Sequence, residues 1–418
     1  ILFLRPTESA TVFLQQFGRG LRLHKGKDHL TVLDFVGHSR AEFSYKDRFE
    51  ALIGRHSRNI KDEIEGGFTN APFGCKIILE EKAKEEIIAN IEGYLRSLNK
   101  NRIIKEIAAY YEACKDSFTL KHFLSYSHIP FHKIYGSMTW GELCQLAGVQ
   151  QEVSPHAAQL KYAVKTKWLA TDSYSYFTQL LHFADSGFKC STETFTEKEK
   201  RYAVMLYYDL FDCAENYPSI DRMFDDLASD KLFVQEFKEV ITYFRERCGA
   251  PEKADNSVYQ EWNPLRLHGV YTKAQIQAAL GLSTIERKSP SREGVERLKD
   301  IKLEAMYVDI IKKREEGSMT AYQDYAQNRE FFHWETQNRV REGSREAEAY
   351  RNGDNNMLLF VRQQVEHPDF GCRMGFTYLG QVTIKSIEGS KPMQIVWHLN
   401  TPMSEATYAF ASQYKAIG

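Results

Sequence analysis

Between Gln15 and Arg22 the chain reads Gln-Gln-Phe-Gly-Arg-Gly-Leu-Arg, which sets two arginines three residues apart behind a glutamine. Side chains three apart at the end of a helix lie on one side of it, and Gly18 and Gly20 loosen the backbone enough for both arginines to reach one cleft. Guanidinium groups aimed into a shared cleft stabilise negative charge developing on oxygen during group transfer. Gln15 can bond water or a ligand from the same side. Taken alone, Arg19 and Arg22 read as surface arginines after a helix that ends at Gly18.

A second constellation lies near the C-terminus, where Trp334 sits among His333, Glu335, Gln337 and Asn338. A tryptophan beside amides offers a stacking face ringed by hydrogen-bond donors and acceptors, which suits unpaired bases. Arg362 follows the apolar run 357–361 and can point outward from the end of a strand. Trp334, Gln337, Asn338 and Arg362 are therefore candidate nucleic-acid contacts. The plainer alternative buries Trp334, bonds Gln337 and Asn338 to loop backbone, and pairs Arg362 with a carboxylate such as Glu366. Lys121 and Lys133, with Lys115, His128 and His132, could form a third, basic face, without an arginine to read guanine. A metal site at His333 and Glu335 lacks a second His or Cys at ligand spacing. Asp324, Glu330 and Glu335 lack the D…E-x-K pattern of a nuclease centre.

The chain holding these groups has 418 residues, 43% hydrophobic and 27% charged, which corresponds to roughly two to four globular domains. Its formal net charge of -1 supplies no global field for a polyanion, so any nucleic-acid surface must be a local patch. The cysteines, Cys75, Cys114, Cys144, Cys190, Cys213, Cys248 and Cys372, are scattered with no C-x-x-C pair and read as free thiols in a reducing cytoplasm. No apolar run approaches the ~18 residues of a membrane span, and no charged segment followed by an apolar one opens the chain as a signal peptide would.

Residues 1–4 read as a buried strand, a helix capped by Ser9 runs to Phe17, and residues 30–36 read as a second buried strand. That order is an α/β unit with a parallel sheet. A buried strand at Ile1 with nothing before it to pair with reads as a truncated domain. From about residue 45 to 249 the periodicity is helical, notably over 80–99 and 102–113. Residues 118–148 read as three short helices, with Thr119 and Thr139 as N-caps. The run Glu197 to Arg201 is a solvated helix face. Residues 249–263 are polar, contain a proline and mark a linker. Beyond them Thr272 and Gln275 form a capping box, and 357–362, 376–379, 382–387 and 393–399 are strand-like runs divided by glycine and proline.

The octapeptide 15–22 fits Q-x-x-G-R-x-x-R, follows Leu-Arg-Pro-Thr at 4–7 and precedes Leu-Asp-Phe-Val-Gly at 33–37. It resembles motif VI of superfamily 2 helicases, the DEAD/DEAH-type and restriction-enzyme-like motors, and 33–37 resembles the last strand of their second RecA-like lobe. The resemblance implies that Arg19 and Arg22 are arginine fingers supported by Gln15, because γ-phosphoryl transfer builds charge that arginines across a cleft stabilise. The chain contains no G-x-x-x-x-G-K-[ST] and no D-E-x-H. ATP and Mg2+ would then be bound mainly by an upstream lobe, and this stretch would contribute to hydrolysis without catalysing it.

Residues from about 49 onward are similar to a large domain of unknown function appended to some bacterial superfamily 2 helicases. The likeness rests on blocks at 62–68, 72–75, 321–326, 332–338, 359–362 and 378–380. It implies nucleic acid, DNA in the first instance, as partner, together with the missing N-terminal motor lobe and a nuclease domain or partner, in restriction or phage defence. The helices at 102–148 are similar to helix-turn-helix repeats, in which one helix enters the major groove; a helical packing unit with an aromatic core is the alternative.

The expectation is a multi-domain α+β protein. Residues 1–44 end a RecA-like lobe, 45–255 are mainly helical with a helix-turn-helix unit at 102–148, and 256–418 form an α+β module with a small barrel-like sheet. Its function would be ATP-dependent helicase or translocase activity, cytoplasmic and without a membrane partner, with the appended region positioning nucleic acid. The alternative makes that region a protein-interaction scaffold docking a nuclease or defence-complex partner.

Overall fold

A computed structural model describes residues 2–3, 33–34, 64, 68, 78–114, 118–127, 129–212, 217–255, 257–290, 294–311, 324–336, 340–390 and 392–412. Two short strands, β1 (Leu2–Phe3) and β2 (Leu33–Asp34), pair in parallel with Leu2 opposite Leu33, the pairing the α/β reading of this segment requires. The chain divides into two compact units, Ile1–Lys133 with Leu146–Val149, and Ile134–Gln145 with Gln150–Gly418.

In the first unit, α1 (Glu81–Ser97) and α2 (Lys100–Ala113) match the helical periodicity of the sequence. Asn99 caps α2 by accepting from the Arg102 backbone N–H at 3.0 Å. Ile103, Ile107 and Tyr110 form its buried stripe. Rings hold the next described residues to α2: Tyr110 lies 5.9 Å from Phe118 and 5.8 Å from Phe123. Helix α3 (Leu120–Ser127) begins at Thr119, whose hydroxyl accepts from the His122 N–H at 3.2 Å. Helix α4 (Phe131–Ile134) begins in this unit, α5 (Trp140–Leu146) belongs to the second but for Leu146, and the two complete the three expected short helices.

The second unit joins a helical layer to a sheet. Its helices are α6 (Ala157–Thr166), α7 (Tyr174–Asp185), α8 (Glu197–Leu210), α9 (Ile220–Ser229), α10 (Lys231–Cys248) and α11 (Lys273–Ala279). Both α8 and α11 open with capping boxes, Thr196 with Glu199 and Thr272 with Gln275, the second as the sequence indicates. The core is aromatic, with Trp168, Phe177, Phe188, Phe233, Phe237 and Phe244 all fully buried. Inside it Asp209 accepts from the Trp168 indole at 2.6 Å, the Tyr176 hydroxyl at 2.7 Å and the Gln275 amide at 3.0 Å. Burial pushes its carboxyl up to about 6 despite these donors.

Glu236 of α10 plays a similar part at the strap 134–145. It accepts from the Tyr135 hydroxyl at 2.6 Å and from the N–H groups of Trp140 at 2.8 Å and Gly141 at 3.2 Å. These N–H groups belong to the first turn of α5, whose donors have no carbonyl partner within the helix, and there a carboxylate also meets the positive end of the helix dipole. Thr139 and Glu142 cap the same turn reciprocally. Burial, reinforced by Glu239, raises the Glu236 carboxyl to about 7.

The polar stretch 249–263 is a packed connection rather than a loose linker. Asp255 turns inward to accept from Ser257, Asn263 and Tyr378, so these polar groups bond one another in the interior and the segment is held against the sheet.

The sheet runs β4 (Val295–Leu298), β5 (Leu303–Asp309), β8 (Asn356–Arg362), β9 (Phe376–Glu388), β10 (Gln394–Leu399), β7 (Phe331–Glu335), β6 (Tyr325–Ala326), with β3 (Val270–Tyr271) paired to β9. All pairs are antiparallel except β5 with β8, which makes the sheet mixed. It does not close: β4 and β6 are its two ends and do not pair. The barrel-like expectation is thus corrected, and a two-residue end strand has too few backbone groups to seal a barrel. The runs expected at 376–379 and 382–387 are one strand, bent by a bulge around Gly380, whose φ of +84 the glycine permits.

One sheet face forms a core containing Met306, Val308, Leu359, Val361, Phe332, Trp334, Ile395 and Trp397. Tyr350 of α12 (Arg345–Asn352) and Ala411 of α13 (Glu405–Ala411) pack into it. On the other face Tyr307, Phe360 and Tyr378 stack in a row at 5.4 and 4.9 Å. There α11 covers the β4–β5 end: the Gln277 amide donates to Glu296 at 2.7 Å, and the Lys273 ammonium stands 4.5 Å above the Tyr307 ring. Among the described residues no helix is long and apolar enough to cross a membrane.

Candidate nucleic-acid interface

Register decides what the rest of that second face presents. In β7, Phe332 and Trp334 point into the core, so the alternating residues Phe331, His333 and Glu335 point away from it. The β10 partners of those three are His398, Val396 and Gln394, and β9 sets Thr383, Ser386 and Glu388 beside them in turn. Tyr325 of β6 pairs with His333 on the other side. A bulge in β9 opposite Val396 and Trp397 leaves Lys385 between the paired residues, exposed and without an ion pair to any described residue.

The product is an open pocket of about 520 Å³, lined by Tyr325, Phe331, His333, Lys385, Gln394 and Val396 among others. Two ring pairs frame it. Tyr325 stacks on His333 at 4.8 Å with 20° between planes, and Phe331 leans on His398 at 5.2 Å. Tyr325, Phe331 and His398 are half-buried, so each still shows part of its ring to solvent. Gln394 donates weakly to Glu335 at 3.4 Å. The described residues hold no group of His, Cys, Asp and Glu fit for a metal ion. Asp324 is buried and accepts from the Glu335 backbone N–H at 2.9 Å, which gives this carboxylate a structural bond at the sheet end.

The residues singled out in the sequence fall differently. Trp334 is 7% exposed and lies against Tyr350 at 6.0 Å and Trp397 at 6.2 Å. It is core, which corrects its assignment as a stacking platform, because its ring is enclosed among packed side chains and leaves no face open to a base. Arg362 is also turned inward. Its guanidinium bonds Asp309 at 2.5 Å, donates to the Met374 carbonyl at 3.1 Å and lies 4.2 Å over the Phe376 ring. These bonds correct its assignment as an outward contact, and its partner is Asp309, its register neighbour on β5, not Glu366. Two strands, β9 and β10, separate Arg362 on β8 from Trp334 on β7. Gln15, Arg19, Arg22, Gln337 and Asn338 lie outside the described residues.

Lys121 is exposed on α3, one turn from Ser125, whose hydroxyl donates to its carbonyl at 3.0 Å. Lys133 is half-buried on α4. Helix α3 contains no acidic residue, and its outward side carries Lys121, His122, Ser125 and Tyr126.

Two likenesses to known proteins accompany this architecture. Residues 265–411, which take in β3 to α13, match the family described as a domain of unknown function, DUF3427. A stretch of 39 residues is 54% identical to IRC3 of Saccharomyces cerevisiae, provisionally named an ATP-dependent helicase. That stretch is 9% of this chain and 6% of the yeast protein.

Proposed function

We propose that this chain is the C-terminal portion of an ATP-dependent nucleic-acid helicase or translocase, whose appended region positions nucleic acid for the motor. The observation that carries the reading is the 54% identity, over 39 residues, with a protein provisionally named an ATP-dependent helicase; the agreement of Gln15, Gly18, Arg19 and Arg22 with a motor signature is in keeping with it. In this reading Arg19 and Arg22 stabilise charge on the transferred phosphoryl group and Gln15 supports them, while ATP and Mg2+ are held mainly by an upstream motor lobe. The partner is nucleic acid, DNA in the first instance, and a nuclease domain or partner is a further expectation.

Lys121 of α3 and Lys133 of α4 contribute phosphate contacts. The test is binding of this chain to labelled DNA across a salt series. Replacing Lys121 and Lys133 by Ala weakens binding alike for all sequences and flattens the salt slope by roughly one contact per lysine. A chain that binds no nucleic acid even at low salt, yet captures a nuclease partner, would instead make the appended region a protein scaffold.

A further inference from the structure

We propose that the open half of the sheet, between the Tyr325–His333 and Phe331–His398 ring pairs, holds unpaired bases of a single strand with Lys385 against its backbone phosphate; this rests on the nucleic-acid-positioning reading above. The two ring pairs sit on adjacent paired strands, fixed by register and not by a loop, and each leaves ring surface toward solvent. A flat aromatic face on a rigid strand is what an unpaired base stacks on, whatever its identity. The pocket of about 520 Å³ between them lies in the size range of small-ligand sites.

Charge selects the occupant further. Glu335 and Glu388 face the same side from β7 and β9, next to Gln394. Carboxylates repel the paired backbones of a duplex but accept the amino hydrogens of adenine, cytosine and guanine, which are free in a single strand. Lys385, raised by the β9 bulge, supplies the cation for one phosphate. With one cation in place, affinity comes from stacking, so salt dependence through this face is shallow, about −0.7 in log–log slope for a single phosphate contact. The same chemistry is offered by DNA and by RNA, and both belong in the test.

The experiment titrates the whole chain with a labelled oligonucleotide of roughly twelve nucleotides, as single-stranded DNA, as RNA and as duplex DNA, each at low and high salt. The single strands bind more tightly than the duplex. Phe331→Leu and Tyr325→Leu each loosen them about tenfold, in line with the stacking contribution of one base, while melting temperatures stay near wild type. Lys385→Gln lowers the single-strand salt slope by about 0.7. If the chain binds DNA but these three variants bind as wild type, this face is not the site and the broader reading stands. If the chain binds none of the three nucleic acids, both fall. Should a leucine variant melt early, Lys385→Gln decides alone: an unchanged salt slope overturns the proposal.

Discussion

The carboxylate of Glu236 and the backbone N–H of Trp140 meet at 2.8 Å although 96 residues separate them in sequence. The bond ties α10 to the first turn of α5 through a group that burial raises to about 7, against an ordinary 4.5. Because its folded value lies above the unfolded one, the native state holds this proton more tightly, and stability falls as pH rises from about 4.5 to 7. The cost, about 3 kcal/mol by linkage, is fully present above that window. Denaturation of Glu236→Gln in urea at pH 5 and pH 8 should show a weaker dependence on pH than wild type. Equal slopes for the two proteins would remove Glu236 as the source.

Trp334→Ala should cost about 3–5 kcal/mol of stability, as deletion of a buried aromatic does, because the ring packs between Tyr350 and Trp397. Urea titration measures it. A variant of unchanged stability but reduced affinity for oligonucleotides would place the ring on the surface after all.

Arg362 and Asp309 form a pair whose side chains are 12% and 28% exposed. Removing one partner strands the other charge, at a cost of about 3–5 kcal/mol for a buried pair and less here because Asp309 still meets water. Arg362→Leu should therefore be less stable than the double variant Arg362→Leu, Asp309→Leu. A double variant as unstable as the sum of its singles would show that the two groups do not interact.

On the proposed reading, in which Arg19 and Arg22 are arginine fingers of a longer motor, Arg19→Ala and Arg22→Ala in that full-length protein should each lower kcat by about 10³–10⁵ while nucleotide affinity changes little, since such fingers act on transition-state charge. Steady-state hydrolysis with nucleotide-binding titrations separates the two effects. Wild-type turnover in both variants would make these arginines ordinary surface residues.

Much of the architecture was legible wherever local chemistry decides it. Thr119, Thr139 and Thr272 cap the helices their sequence positions indicate, because a hydroxyl at the start of an apolar period satisfies an otherwise unpaired N–H. Strands β8 and β10 likewise follow their apolar runs. What failed was orientation. Once Phe331 to Glu335 is a strand, alternation puts Phe332 and Trp334 on one face and Phe331, His333 and Glu335 on the other, which favours the first for the core. The five residues are too short and too mixed to read as a strand by themselves, and the β10 register that fixes them is non-local. Arg362 was misplaced for the same reason, since its partner lies on a strand paired in parallel 53 residues away. Lys385 was invisible because a bulge, not alternation, sets its position. The barrel expectation failed because strand count does not reveal whether two ends meet.

An unclosed sheet keeps two free margins, and each is a template on which another chain's strand can grow. Here both are spoiled. At one end β6 offers only two residues, too short a run to recruit a neighbour. At the other, β4 buries the charged side chain of Glu296 against Lys273, Gln277 and Tyr307. An intruding strand slipped by one residue along that margin would have to match a carboxylate already committed inward. The contact that α11 makes with the sheet end thus fixes a charge inward at that margin, an obstacle to strand addition that a closed wall of strands would not have required.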